Sequence, residues 1–127
     1  MHRPLNPPTI RAPFARYSHG VEVAAGKRIV AVSGQLGVRA DDTVPESVEE
    51  QAEICFANIE AILGEAGMGL ADIVRINAYV THRAYMRPYM TVRDRVVADP
   101  PPASTLMIVG GFTRPEFKVE IEVIAAA

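Results

Sequence analysis

The 127-residue sequence has no tryptophan, one cysteine and three histidines. A lone thiol, Cys55, cannot close an intrachain disulfide, and His2, His19 and His82 show no metal-ligand spacing, so neither a disulfide nor a metal ion is expected to hold the chain together. Long hydrophobic runs are missing too. Mean hydropathy is +0.11, yet charged residues or prolines break every apolar stretch well short of the ~20 residues a spanning helix needs. Membrane insertion is therefore not expected. Residues Met1 to Pro8 lack the apolar core and small-residue cleavage site of a secretory leader, which makes a cytoplasmic location the expectation. Basic excess is absent as well: 13 Lys and Arg face 15 Asp and Glu, a net charge of −2. Such a surface does not release counterions from a phosphate backbone, so nucleic acid is excluded as the main partner.

What is present suffices for one core. A chain 49% hydrophobic and 22% charged reads as a single domain over residues 1–127, with residues 1–16 a proline-rich and flexible arm. Val21 to Ala25 and Arg28 to Ser33 are β-favouring runs parted by Gly26 and Lys27, which predicts a hairpin. Val48, Ala52, Cys55, Ile59 and Ile62 recur at helical steps, started by a Ser47/Glu50 capping box and ended by Gly64 or Gly67. Ile73 to Val80 alternates as a half-buried strand does, with Arg75, Asn77 and Tyr79 opposite Val74, Ile76, Ala78 and Val80. A second helix is expected from about Pro88, carrying Tyr89, Val92 and Val96 inward and stopping at Pro100. Strands at Ser104 to Val109 and Lys118 to Ile124 complete a β-β-α-β-α-β-β order. Two helices on one face of the sheet would leave the opposite face in need of a partner, with self-association the simplest cover.

Chemistry-bearing residues are few. Glu120 lies in Lys-Val-Glu-Ile-Glu, an alternation that suits an exposed antiparallel strand, while beside a cleft the same carboxylate could deprotonate water. Tyr17-Ser18-His19-Gly20 could line a small polar pocket, or be an ordinary loop entering a strand. Ser33-Gly34-Gln35 offers a place for close approach to the backbone. Cys55 lies on the apolar helix face and reads as core. Gly110-Gly111 lacks the strand-to-helix context of a dinucleotide fingerprint.

Tyr17-Ser-His-Gly-Val21, Val32-Ser-Gly-Gln35, the helix from Gln51 to Ala66-Gly67, Asp72-Ile-Val74, Pro102-Ala103-Ser104 and Lys118-Val-Glu-Ile-Glu122, taken as an ordered set, resemble the RidA/YjgF/UK114 family. The resemblance implies a chorismate-mutase-like α/β (α+β) fold and a homotrimer with clefts at the subunit interfaces. It also implies cofactor-independent hydrolysis of small enamines and imines, such as 2-aminoacrylate, to keto acids and ammonia. Carried over by position, Tyr17 is the cleft tyrosine, Gly34 the backbone-contact glycine and Glu120 the residue that holds the attacking water, with Ser33 alongside. The family's carboxylate-gripping arginine falls at Ser104 and its common cysteine at Leu106.

A serine lacks both the charge and the fork of a guanidinium, so 2-aminoacrylate is not the expected substrate. In this arginine-lacking pattern Tyr17 and either Ser104 or Thr105 would donate hydrogen bonds, and backbone amides at Gly34 and Leu106 would stabilise developing charge. Arg93, Arg95 and Arg114 could supply a replacement cation, although an exposed, salt-bridging role is the expectation for each. The alternative is a non-catalytic trimer that binds a metabolite or a protein in the same clefts. A ribonuclease reading, associated with the family, is opposed by the acidic net charge.

Overall fold

A computed structural model describes residues 2–127. Six strands and two helices follow one another as β1 (Arg3–Leu5), β2 (Gly20–Glu22), β3 (Ile29–Leu36), α1 (Val48–Gly64), β4 (Ile73–Val80), α2 (Met86–Val96), β5 (Ala103–Ile108) and β6 (Val119–Ala126). The main sheet has the order β3-β6-β4-β5, with β4 and β5 parallel and the other pairs antiparallel. Parallel neighbours need a crossover, and α2 provides it between β4 and β5. The result is the expected α+β arrangement, two helices on one side of a mixed sheet.

Alternation along the strands decides what faces the helices. Val119, Ile121, Val123 and Ala125 of β6 and Ile76, Ala78 and Val80 of β4 are buried, and they pack with Ala52, Cys55, Phe56, Ile59 and Leu63 of α1 and Tyr89 and Val92 of α2. Each large aliphatic buried this way contributes about 1.5–3 kcal/mol. The intervening side chains form an open sheet face on which Ile29 is 70% exposed, Met107 54% and Ile124 40%.

α1 begins as expected: Ser47 Oγ accepts from the Glu50 amide at 3.1 Å. The reciprocal contact is side chain to side chain, Ser47 Oγ donating to Glu50 Oε1 at 3.4 Å. Gly67, at φ +71°, takes the left-handed position after the helix. Ile62 is a correction, since it is 38% exposed and Leu63 is buried in its stead, the residue a step of four beyond Ile59.

The hairpin is a second correction. β2 pairs with β1 in a separate two-stranded sheet, register Pro4↔Val21, and Arg3 Nε meets Glu22 Oε1 at 2.8 Å. Gly26, at φ +82°, does turn the chain, but β3 then pairs with β6, register Val32↔Val123, because the Val123 and Ala125 row completes the apolar face begun by Val30 and Val32. The amino-terminal arm is accordingly tied down: besides β1, His2 Nε2 lies 2.9 Å from the Ala126 carbonyl. α2 starts at Met86, so Pro88 still falls within its first turn, and it ends at Val96, four residues before Pro100. None of the described helices is long and apolar enough to cross a membrane.

Candidate functional site

Glu120 stands on the open face of β6, with Leu36 and Tyr79 as its neighbours across the two adjoining strands. The sheet is irregular between Val32 and Gln35, and there Gly34 faces the glutamate so closely that a methyl group in its place would come within 2.6 Å of Glu120 Oε2. Glycine at this point leaves room for the carboxylate in the position it occupies. Burial, and secondarily the negative charge of Glu122, pushes the Glu120 pKa above its ordinary value. Ser33, on the same strand edge, is exposed, and its carbonyl accepts from Gln35 Nε2 at 3.1 Å.

Around Glu122 lies a polar network that the residue-by-residue reading missed. Tyr79 donates to Glu122 Oε1 at 2.6 Å and Asn77 Nδ2 to the same oxygen at 3.4 Å. Arg75 Nε donates to Asn77 Oδ1 at 3.0 Å, and the guanidinium also reaches Thr105 Oγ1. The hydrogen bond to Glu122, with burial next in weight, raises the Tyr79 phenol pKa. A signal for this cluster was present in the alternation that puts Arg75, Asn77 and Tyr79 on one face. A hollow of about 210 Å³ opens beside it, between Ala31, Asn77, Glu122 and Ile124.

The other expected residues gather elsewhere. Ser18 forms a bridge to Ala103, its amide donating to the Pro102 carbonyl at 3.0 Å and its hydroxyl to the Pro101 carbonyl at 2.6 Å. This pins Tyr17 beside the start of β5, where its hydroxyl accepts from the Phe14 amide at 3.3 Å and its ring meets His19 edge-on, centroids 6.0 Å apart. His19 Nε2 lies 2.6 Å from the Arg11 carbonyl. Ser104 and Leu106 pair with Ile76 and Ala78, so both side chains point to the helix layer. Leu106 packs against the core there. Thr105, in register with Asn77, points to the open face.

One chain therefore does not assemble the expected set. Glu120, Gly34 and Thr105 share the open face, whereas Ser104 and Leu106 lie on the other side of the sheet, with β4 between β5 and β6. Of the two expected donors Ser104 and Thr105, strand alternation puts only Thr105 on the face that carries Glu120 within one chain.

The arginines separate as well. Arg114 pairs with Asp42 at 3.4 Å and Glu116 at 3.6 Å, the salt-bridging role expected of it. Arg95 is exposed. Arg93 corrects the expectation of exposure: it is 3% exposed, folded in beside Tyr89 on α2. Cys55 is core as expected, its Sγ 3.1 Å from the Gln35 carbonyl and its pKa pushed up to about 12 by burial, so it stays a thiol at neutral pH. Among the described residues no cluster of His, Cys, Asp and Glu is arranged to hold a metal ion.

The sequence profile described as endoribonuclease L-PSP matches residues 9–127. Among curated proteins, the mitochondrial protein mmf2 of Schizosaccharomyces pombe is 30% identical over 77% of this chain and 79% of its own length. A 2-iminobutanoate/2-iminopropanoate deaminase of Dermatophagoides farinae is 27% identical over 96% of this chain and 94% of its own. Among solved structures, YyfB of Yersinia pestis, a protein of unknown function in the conserved Rid protein family, superposes with a TM-score of 0.84 at 27% identity, covering 99% of this chain and 98% of that one.

Proposed function

The chain belongs to the RidA/YjgF/UK114 family, whose profile carries the endoribonuclease L-PSP description, and on that premise we propose that it is a cofactor-independent hydrolase of small imines or enamines, working as a homotrimer. The observation that carries this reading is Glu120 itself: a partly buried carboxylate with a raised pKa, kept clear on one side by a glycine. A carboxylate so placed takes a proton from water as the oxygen attacks the imine carbon, then returns it to the departing nitrogen. The balance is one water consumed, one C=N bond replaced by C=O, and one ammonia released.

The open sheet face supports the assembly, since Ile29, Met107 and Ile124 have no cover within the chain. A neighbouring subunit laid on this face would bring its β5 edge, with Tyr17, Ser104 and Leu106, toward Glu120 and Gly34. Ser104 carries no positive charge, so 2-aminoacrylate, held elsewhere in the family through its carboxylate, is turned over slowly here. The acidic net charge of −2 argues against RNA as substrate.

Glu120→Gln tests the reading, because the amide keeps the shape and cannot accept the proton. Turnover of an imine generated in situ from an amino acid by an oxidase should fall about 100-fold or more. A change of less than several-fold would favour the second reading, a non-catalytic binding module, which the separation of Glu120 and Ser104 onto opposite faces supports.

A further inference from the structure

A cavity of about 250 Å³ opens where β4 and β5 begin, lined by Pro4 of β1, Val21 of β2, Ile73 of β4 and the run Pro100 to Pro102. None of Tyr17, Gly34, Ser104 and Glu120 takes part in it, so it is distinct from the cleft considered above. Its walls are stiff. Each proline of the run has its φ angle fixed by the ring and no amide hydrogen with which to rearrange. The segment is also fastened from outside: Ser18 holds the Pro101 and Pro102 carbonyls at 2.6 and 3.0 Å, and Arg16 Nη2 holds those of Val97 and Ala98 at 3.4 and 3.2 Å. Pro4 and Val21 are themselves paired in register across β1 and β2. Walls that cannot close leave the hollow standing, and its volume exceeds the roughly 150 Å³ in which a benzene ring fits.

One polar group of the lining is incomplete. His2 shares the cavity, and its Nε2 lies 2.9 Å from the Ala126 carbonyl. A carbonyl only accepts, so this contact assigns the ring hydrogen to Nε2 and leaves Nδ1 with a lone pair. Nδ1 is buried and meets no donor among the described residues. Buried acceptors are paired in the great majority of folded chains, so this one calls for a hydrogen from outside the chain. Charge narrows the choice. No lysine or arginine among the described residues lines the cavity, whereas the Asp99 carboxylate does, which disfavours an anion. Asp99 already lies 3.9 Å from Arg16 Nη1, which lessens its pull on a cation.

We infer that this cavity binds a small neutral molecule, a single apolar ring carrying one O–H or N–H group that donates to His2 Nδ1. The ring lies against the prolines and Val21, where removal from water supplies the attraction, and the single donor fixes its orientation. Occupancy has a mechanical effect as well. Ser18 ties the proline run to the loop that bears Tyr17, and Pro102 leads directly into β5, so a filled cavity braces both. The site does not depend on the hydrolase reading and stands or falls without it.

Phenol and toluene are the probes, alike in their ring, with only phenol carrying the donor. Phenol should bind the full chain in calorimetry and raise its melting temperature with concentration, as a ligand of the folded state does. Val21→Phe and Ala98→Leu add bulk to the lining from β2 and from the segment after α2, so each should weaken both probes at least tenfold while melting no lower than wild type. With the histidine nitrogens isotopically labelled, phenol should move the Nδ1 resonance of His2 far more than toluene does, and His2→Phe identifies that resonance by its loss. The same variant should lower the ratio of phenol to toluene affinity several-fold. Phenol that does not bind at millimolar concentration, or that binds both bulky variants as it binds wild type, overturns the site. Bulk that lowers the melting temperature in both variants means that the space is not there. A His2 resonance and an affinity ratio that ignore the hydroxyl remove the role of Nδ1 and with it the proposed ligand class.

Discussion

Gly34 and Glu120 act as one unit, and each can be tested through the other. An alanine at position 34 collides with the far end of a flexible side chain and not with backbone, its methyl falling 2.6 Å from Oε2 and 3.0 Å from Cγ of Glu120. The glutamate can rotate away, so Gly34→Ala should cut turnover at least tenfold while thermal unfolding shows a shift of no more than a few degrees. The pH profile follows from the sign of the Glu120 shift. A general base works ionised, so activity should rise with pH through an apparent pKa above the ordinary carboxylate range, and Glu120→Gln should remove that limb. Protonation is also easier in the folded chain than in the unfolded one, so the ionised group opposes folding at neutral pH. Glu120→Gln should therefore unfold at a slightly higher temperature than wild type at pH 7 and at the same temperature in acid. The face on which Glu120 lies was legible from alternation; its closeness to Gly34 was not, since that depends on an irregularity in the β3–β6 pairing that no local sequence signal encodes.

Elements were legible where their periodicity is strong. β4 runs over Ile73–Val80 as the alternation predicts, and α1 starts after Ser47 as its capping box predicts. Pairing was less legible, because β2 and β3 each read as half of a hairpin and nothing in their residues reveals that β1 and β6 are their partners. Gln51 shows why tertiary ties escape pattern reading. It occupies a core position of α1, wholly buried, and its amide donates to the Pro45 and Glu116 carbonyls and accepts from the Lys118 amide, each at 2.9 Å. These bonds fasten the start of α1 to the segment entering β6, and so set the height of Glu120 relative to the helix layer. Gln51→Leu keeps the volume but orphans three backbone groups, which should cost about 3 kcal/mol or more in denaturant unfolding. A loss below about 1 kcal/mol would mean that water replaces the amide.

At the scale of the whole molecule, light scattering should return the mass of three 13.8 kDa chains at micromolar concentration. Met107→Glu sets a charge on the open face in register with Tyr79 and Glu120, at a position exposed in the single chain, so it should yield a folded monomer without turnover. A wild-type monomer that is stable and active would sink the assembly. Opposite placement of Glu120 and Ser104 has a consequence for genetics as well as for chemistry. If every cleft takes its base from one chain and its β5 edge from the next, then two dead alleles can rescue each other. Refolding Glu120→Gln chains with an equal amount of Tyr17→Ala chains should place an intact base opposite an intact edge in about one cleft in four, by random assortment around a closed ring. Defects confined to a single chain's own site would recover nothing on mixing.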